Sequence, residues 1–178
     1  VVTAVGAGVA DLAVGDEVVS MVDRSFATWV VAPAALTVRK PATMSFADAA
    51  TVPVAFLTAQ YALRDLAGIK RGDRALIPAV TGGVGMAALQ LAFLAGAEVY
   101  GTAGTPAKRA LARRLGAHHV SDSRSLSFAA DVSAASGGRG VDNRLNSRAG
   151  DFIPARLRLL RRGAHFVHIA KTGLWDAA

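Results

Sequence analysis

Arg74-Ala-Leu-Ile-Pro-Ala-Val-Thr-Gly-Gly-Val-Gly-Met-Ala-Ala-Leu-Gln-Leu-Ala92 passes from a short apolar run, through a glycine cluster, into apolar positions at helical spacing. That pattern reads as strand, tight turn, helix. The turn sets backbone N–H groups at a helix N-terminus, where the helix dipole favours an anion. Gly82, Gly83 and Gly85 let the backbone approach a phosphate and let the helix lie close on the strand. The spacing G-G-x-G is a shortened relative of the dinucleotide fingerprint. The same residues also read as an ordinary strand-to-helix loop.

Working outward, residues 74–178 alternate strand and helix. Strand 74–80 leads to helix 84–95, closed by Gly96. Strand Glu98–Thr102 leads to helix 106–115, closed by Gly116. A short strand near His118–Val120 precedes a helix over Phe128–Ala135. Strand Val141–Asn146, a helix over 151–160 and strand Ala164–Ala170 complete the series. This order implies a doubly wound parallel sheet of Rossmann type with right-handed crossovers. Its ligand is expected at the carboxyl ends of the strands.

Upstream the pattern differs. Val1–Val5, Glu17–Val22, Thr28–Ala32 and Leu36–Arg39 are four β-rich runs separated by turns, so residues 1–45 are expected to form part of a small β module. Residues 46–73 read as connecting helices. Ser45 is the expected N-cap, with Asp48 three residues on, and Pro53 is expected to interrupt the segment.

The 178 residues carry no cysteine, which excludes disulfides, a thiol nucleophile and a cysteine-ligated zinc site. No apolar run reaches the ~18 residues of a membrane span, and the N-terminus lacks a basic leader. Both point to a soluble cytoplasmic protein with no membrane partner. The net charge of +7 is concentrated in Lys108, Arg109, Arg113, Arg114 and in Arg156, Arg158, Arg161, Arg162. These alternate with Leu and Ala as solvated helix faces do, and aromatics are 6% of the chain, so nucleic acid is not an expected partner. The histidines make no metal case, because adjacent or i, i+3 positions on a strand face apart.

Set beside its flanks, the glycine turn resembles a known family. Ala50-Thr-Val-Pro-Val-Ala-Phe-Leu-Thr-Ala-Gln-Tyr-Ala-Leu63 is similar to the segment before the cofactor domain in medium-chain dehydrogenase/reductases. Thr81-Gly-Gly-Val-Gly-Met-Ala-Ala88 resembles their phosphate turn. Gly138-Arg-Gly-Val-Asp142, Leu145-Asn-Ser147, Ala149-Gly150 and Phe166 to Thr172 resemble the enoylreductase domain of modular polyketide synthases. The resemblance implies a GroES-like substrate module ending near residue 45, before the Rossmann domain. It implies reduction of the α,β double bond of an enoyl thioester on an acyl carrier protein, by hydride from NADPH, among neighbouring synthase domains. A non-catalytic remnant of such a domain and a free-standing quinone reductase are the alternatives.

The residue roles follow from the same resemblance. Thr81, Gly82, Gly83, Val84 and Gly85 would hold the pyrophosphate. Thr58 matches a position near the nicotinamide, and otherwise reads as a threonine bonded to a helix carbonyl. Asn146 and Ser147 stand at a strand's carboxyl end, where ligands collect, and equally suit helix capping. Lys171 matches a lysine proposed as proton donor or as the group that polarises the enoyl carbonyl, and otherwise is a loop lysine. Cofactor choice can be read from the residues. NAD-binding folds carry Asp or Glu at the end of the second strand, whereas Thr102-Ala-Gly-Thr105 has no carboxylate and Lys108-Arg109 follow. That favours NADPH, with Thr102 and Lys108 as contacts to the 2′-phosphate. Departures from the family pattern are Pro78 in a central strand, Asn143 and Arg144 in an apolar one, Arg148 for leucine, Ala170 for glycine and Gly173 for aspartate.

Overall fold

The structure, a computed structural model, describes residues 1–146 and 157–169. The chain forms two compact units, Val1–Leu57 and Thr58–Ala178.

In the first unit, β1 (Val18–Ser20) and β2 (Thr37–Arg39) pair antiparallel, with Val19 opposite Val38. A 3-10 turn over Ala34–Leu36 leads into β2. Of the four expected strands, only these two form among the described residues. Val1–Val5 makes only isolated bonds, Val2 N to Asp16 O and Gly15 N to Val2 O, both 2.9 Å. Residues 28–32 join no ladder among the described residues. β-branched composition makes a segment fit for a sheet, but a strand exists only where a neighbour takes its backbone groups.

Helix α1 (Phe46–Ala50) starts as its sequence implies: Asp48 N donates to Ser45 Oγ at 3.1 Å. Helix α2 (Val52–Gln60) begins one residue before Pro53. The proline therefore sits in the first turn, where its missing N–H costs nothing, and it does not interrupt the helix. The next turn, Tyr61–Leu66, widens to π geometry.

The second unit holds β3 (Arg74–Ile77), β4 (Glu98–Ala103), β5 (His119–Asp122), β6 (Val141–Asn146) and β7 (Leu160–His168). They form one parallel sheet in the order β5-β4-β3-β6-β7. Helices α3 (Gly83–Leu94), α4 (Pro106–Arg114) and α5 (Phe128–Ala135) connect them. The chain walks outward from β3 to β5, then returns to β6 beside β3. Right-handed crossovers therefore place α3 and α5 on opposite faces. Leu76, Tyr100, Phe128, Val132, Val141 and Leu159 form the core between the sheet and α5. Strand β7 starts earlier than its apolar run suggested. Three extra residues separate its pairing at Leu160 from that at His165, with Gly163 at φ 78° inside the bulge. Of the helix expected over 151–160, residues 151–156 lie outside the described residues, and Leu160 already belongs to β7.

The two β6 residues that depart from the family pattern, Asn143 and Arg144, are both buried. Buried Asn143 donates from Nδ2 to Asp73 Oδ2 at 2.8 Å. Arg144 is 1% exposed and its guanidinium lies 5.9 Å from the Phe166 ring centroid on β7.

Candidate functional site

The strand order puts a crevice at the carboxyl ends of β3 and β6, where the winding direction reverses. Open α/β sheets bind ligands at such a point. The glycine turn opens on it. Strand β3 stops at Ile77, so Pro78 lies in the turn and removes no ladder bond. Val80 N donates to Thr102 O at 3.0 Å and keeps the turn stitched to β4 beyond the proline. Ala79 has φ 47°, a left-handed conformation costing roughly 1–2 kcal/mol for a residue with a Cβ. Its carbonyl accepts from Gly82 N at 2.7 Å, closing the turn.

Gly82 is the N-cap of α3, and no side chain caps the helix. The N–H groups of Gly83, Val84 and Gly85 in its first turn thus have neither an intrahelical acceptor nor a capping side chain. Gly82 and Gly83 are exposed, while Thr81 and Val84 are half-buried. Gly85 is buried, and a Cβ there would lie 2.2 Å from Ala79 O. That contact lets α3 sit directly on the turn, with its open N–H groups facing the crevice end. A cradle of this kind suits a pyrophosphate.

At the end of β4, Thr102 is 4% exposed and its Oγ1 has no hydrogen-bond partner. An orphaned buried hydroxyl beside this crevice fits a polar group of a ligand. Thr105 caps α4, accepting from Lys108 N at 3.3 Å, and the Lys108 side chain is exposed. Arg109 is not a solvated helix residue. Its Nη1 donates to Asp122 Oδ2 at 3.0 Å and to Ala103 O at 3.4 Å, tying α4 to the ends of β4 and β5. Asp122, the carboxylate at the end of β5, is thereby neutralised.

At the end of β6, Asn146 is 0% exposed. Its Nδ2 lies 2.7 Å from Nδ1 of His168, directly opposite on β7, and Ile169 N donates to Asn146 O at 2.8 Å. Thr58, on α2, is half-buried and makes no side-chain hydrogen bond among the described residues. Ser147 and Lys171 lie outside the described residues, as do Arg148, Ala170 and Gly173.

Sequence reasoning overlooked Arg124, on the turn after β5. A Cβ on Gly104, just after β4, would lie 3.1 Å from Arg124 Nε and 3.4 Å from Ser123 Oγ. The signal was a basic residue directly after the third strand of the sheet, beside a glycine directly after the second.

The opposite end of the sheet carries an electrostatic cluster. Glu98 meets Arg74 at 3.2 Å and His119 Nε2 at 3.0 Å, and the His119 ring stacks on Tyr100 at 4.6 Å. Burial pushes the Glu98 carboxyl up, but hydrogen bonds from His119, Tyr100 and Arg74 outweigh it and hold it below its ordinary value. Burial, then the Glu98 charge, push the Tyr100 hydroxyl up to about 12. His118 Nδ1 accepts from Val99 N at 3.0 Å. These groups pin strand starts, away from the crevice. Among the described residues there is no cluster of three His, Asp or Glu able to hold a metal ion, and no helix long and apolar enough to cross a membrane.

The family described as zinc-binding dehydrogenase matches residues 83–175. The chain is 50% identical over 179 residues to the pikromycin polyketide synthase component PikAII of Streptomyces venezuelae, covering 99% of this chain and 5% of that protein. The CurK enoyl reductase structure superposes with a TM-score of 0.94 at 43% identity, over 98% of this chain and 52% of that one. The nucleotide-binding subdomain of the PpsC enoylreductase domain from Mycobacterium tuberculosis superposes with a TM-score of 0.64 at 44% identity, over 66% of each chain. The chain thus spans about half of the CurK structure and a small part of the synthase. With the parallel β5-β4-β3-β6-β7 sheet and the glycine turn at its switch point, it belongs to the zinc-binding dehydrogenase family of medium-chain dehydrogenase/reductases, among the enoylreductase domains of polyketide synthases.

Proposed function

We propose that this chain contributes the cofactor-binding part of an NADPH-dependent enoylreductase, which saturates the α,β double bond of an enoyl thioester carried on an acyl carrier protein. The observation that carries the reading is the crevice between β3 and β6, walled by uncapped N–H groups of α3 and by buried Asn146. The preference for NADPH rests on the β4 end. It has an orphaned Thr102 hydroxyl and exposed Lys108, and its nearest carboxylate, Asp122, is occupied by Arg109.

NADPH, when bound, supplies the hydride that adds to the β carbon. The chain's residues hold and orient. The N–H groups of Gly83, Val84 and Gly85 and the α3 dipole take the pyrophosphate, closed over by Thr81 and Gly82. Thr102 and Lys108 take the 2′-phosphate. Asn146 and Ser147 bound the nicotinamide end together with Thr58. Lys171 gives the proton that the α carbon must gain once hydride has reached the β carbon, so the double bond becomes a single bond with charge balanced. The neighbouring domains of the synthase present the acyl chain.

Titrating the chain with NADPH and NADH and following nicotinamide fluorescence tests the binding half. Saturation by NADPH at lower concentration than NADH is expected, and no NADPH binding up to millimolar concentration overturns the reading. Turnover of a crotonyl thioester by the complete domain tests the chemistry. Lys171→Ala is expected to slow it about 100-fold or more, the usual worth of a positioned acid. NADPH binding without any turnover in the unaltered domain selects the second reading, a non-catalytic domain that keeps the fold. Gly173 and Ala170 beside Lys171, where the family pattern has aspartate and glycine, favour that reading.

A further inference from the structure

We propose that a groove between the Tyr61–Leu66 turn and α3 docks an acidic amphipathic helix from a neighbouring domain of the synthase. The inference rests on membership among synthase domains and not on the NADPH reading. The groove lies wholly within the second unit, at the end of the sheet where the strands start, opposite the crevice.

Its shape follows from the π turn. Ala67 N donates back to Ala62 O at 3.2 Å and Ile69 N to Leu63 O at 2.9 Å, wider steps than an α-helix takes. Against the last turns of α3 this leaves a groove of about 310 Å3, with Leu63, Arg64, Ile69, Leu91 and Leu94 in its lining. Leu63 is buried, whereas Leu94 is 80% exposed. Phe93 is 61% exposed, and its Cδ2 lies 4.0 Å from where a Cβ on Gly116 would stand. Leu66 and Leu115 are exposed as well, so an apolar strip runs from the π turn across α3 to the end of α4. A helix face that meets only water is polar, and a contiguous apolar strip marks a surface that meets another.

The charge around the strip says what that other surface carries. Arg64, Lys70, Arg71 and Arg114 border it, all exposed, and none of their side chains makes a hydrogen bond or ion pair among the described residues. The Arg71 stem rests on Gly96, with Cγ 3.3 Å from where a Cβ would stand, which holds the cation beside the end of α3. The carboxylates at this end are engaged inward. Asp73 accepts from Asn143 and Lys70 N, Glu98 meets Arg74 and His119, and Asp142 accepts from Arg74 N and Arg161. Asp65 alone, next to Arg64 on the π turn, is exposed without such a partner among the described residues.

Apolar side chains at i, i+3 and i+4 of a helix fit the strip, and Asp or Glu on the flanks of that helix meet the four cations. A second copy of this chain would bring the same cations to the face and be repelled. A substrate carrier has to reach the crevice instead. β4 has six residues, so the crevice lies roughly 20 Å away along the strands. The face therefore positions a fixed neighbour and does not deliver substrate.

The test is made in the intact synthase. Leu94→benzoylphenylalanine is irradiated and the cross-linked peptides are identified by mass spectrometry. A cross-link to an Asp- and Glu-rich helix of a neighbouring, non-carrier domain is expected. Arg64→Glu with Arg71→Glu is expected to lower its yield about tenfold or more, and Arg162→Glu, the same charge change out on β7, to leave it unchanged. Thermal melts of the chain carrying each change show that it is folded, so the outcome stands whether or not the chain binds NADPH. A cross-link to the same face of a second copy, a cross-link to the carrier domain, or no cross-link overturns the inference. So does equal loss with Arg162→Glu, which would show attraction to net charge alone.

Discussion

Three glycines lie within the turn, and they do unequal things. A Cβ on Gly85 would stand 2.2 Å from Ala79 O and 2.8 Å from Val80 Cα, both backbone atoms that cannot step aside. Gly83 has nothing within 4 Å of where its Cβ would be, and its φ is not in the left-handed range. Gly85→Ala is therefore expected to cost about 2–3 kcal/mol, the scale of overpacking, and to push α3 off the crevice so that NADPH binding is lost. Gly83→Ala is expected to be neutral or to stabilise by up to roughly 1 kcal/mol, because alanine suits a helix better. Urea unfolding of both variants measures this, and equal midpoints would contradict the contact. The motif identified the turn from spacing alone. It could not rank the glycines, because the atom that Gly85 must avoid is contributed by the fold of the turn and not by its neighbours in sequence.

Between elements, one side chain joins three strands. Asp142 on β6 accepts from Arg74 N at the start of β3 at 2.8 Å and from Arg161 Nε on β7. Burial pushes its carboxyl up, but the Arg74 N–H and the Arg161 guanidinium outweigh this and hold it below its ordinary value. A carboxylate whose pKa is lower in the folded state adds stability above the unfolded value, near 4, and that stability fades as pH falls through the folded value. Asp142→Asn should thus lower stability at pH 7 and flatten the fall of stability below about pH 4. Urea midpoints across pH 3 to 7 measure it, and parallel curves for the two proteins would contradict it. Pro78 is instructive at the same scale. On sequence it threatened a central strand, yet β3 ends at Ile77 and the proline helps stop it. Where a strand ends is decided by which backbone groups find partners, and periodicity does not report that.

At the scale of the molecule the two units differ in how much they bury. The first exposes Phe26 at 106%, Val31 at 97% and Trp29 at 70%, around a ladder only three residues long. The second encloses Leu76, Tyr100, Phe128, Val132 and Val141 between sheet and helix. Short ladders without a covered apolar face open readily. In hydrogen exchange, amides of Val19 and Val38 are expected to exchange on the order of a hundredfold or more faster than those of Leu76 and Val99. Equal protection would show that the first unit is held as firmly as the second.

The sequence alone determined the order of strands and helices in the second unit, the glycine turn, the Ser45 cap and the carboxylate-free end of β4. Each of these is written in residues a few positions apart, which is the range over which periodicity and capping act. The tertiary structure alone decided that β6 returns beside β3, that His168 faces Asn146, that Arg109 is spent on Asp122, and that Arg124 lies across Gly104. Those pairs are 13 to 68 residues apart, from Arg109–Asp122 to β3–β6 at Arg74–Asp142, and only the register of a parallel sheet brings them together.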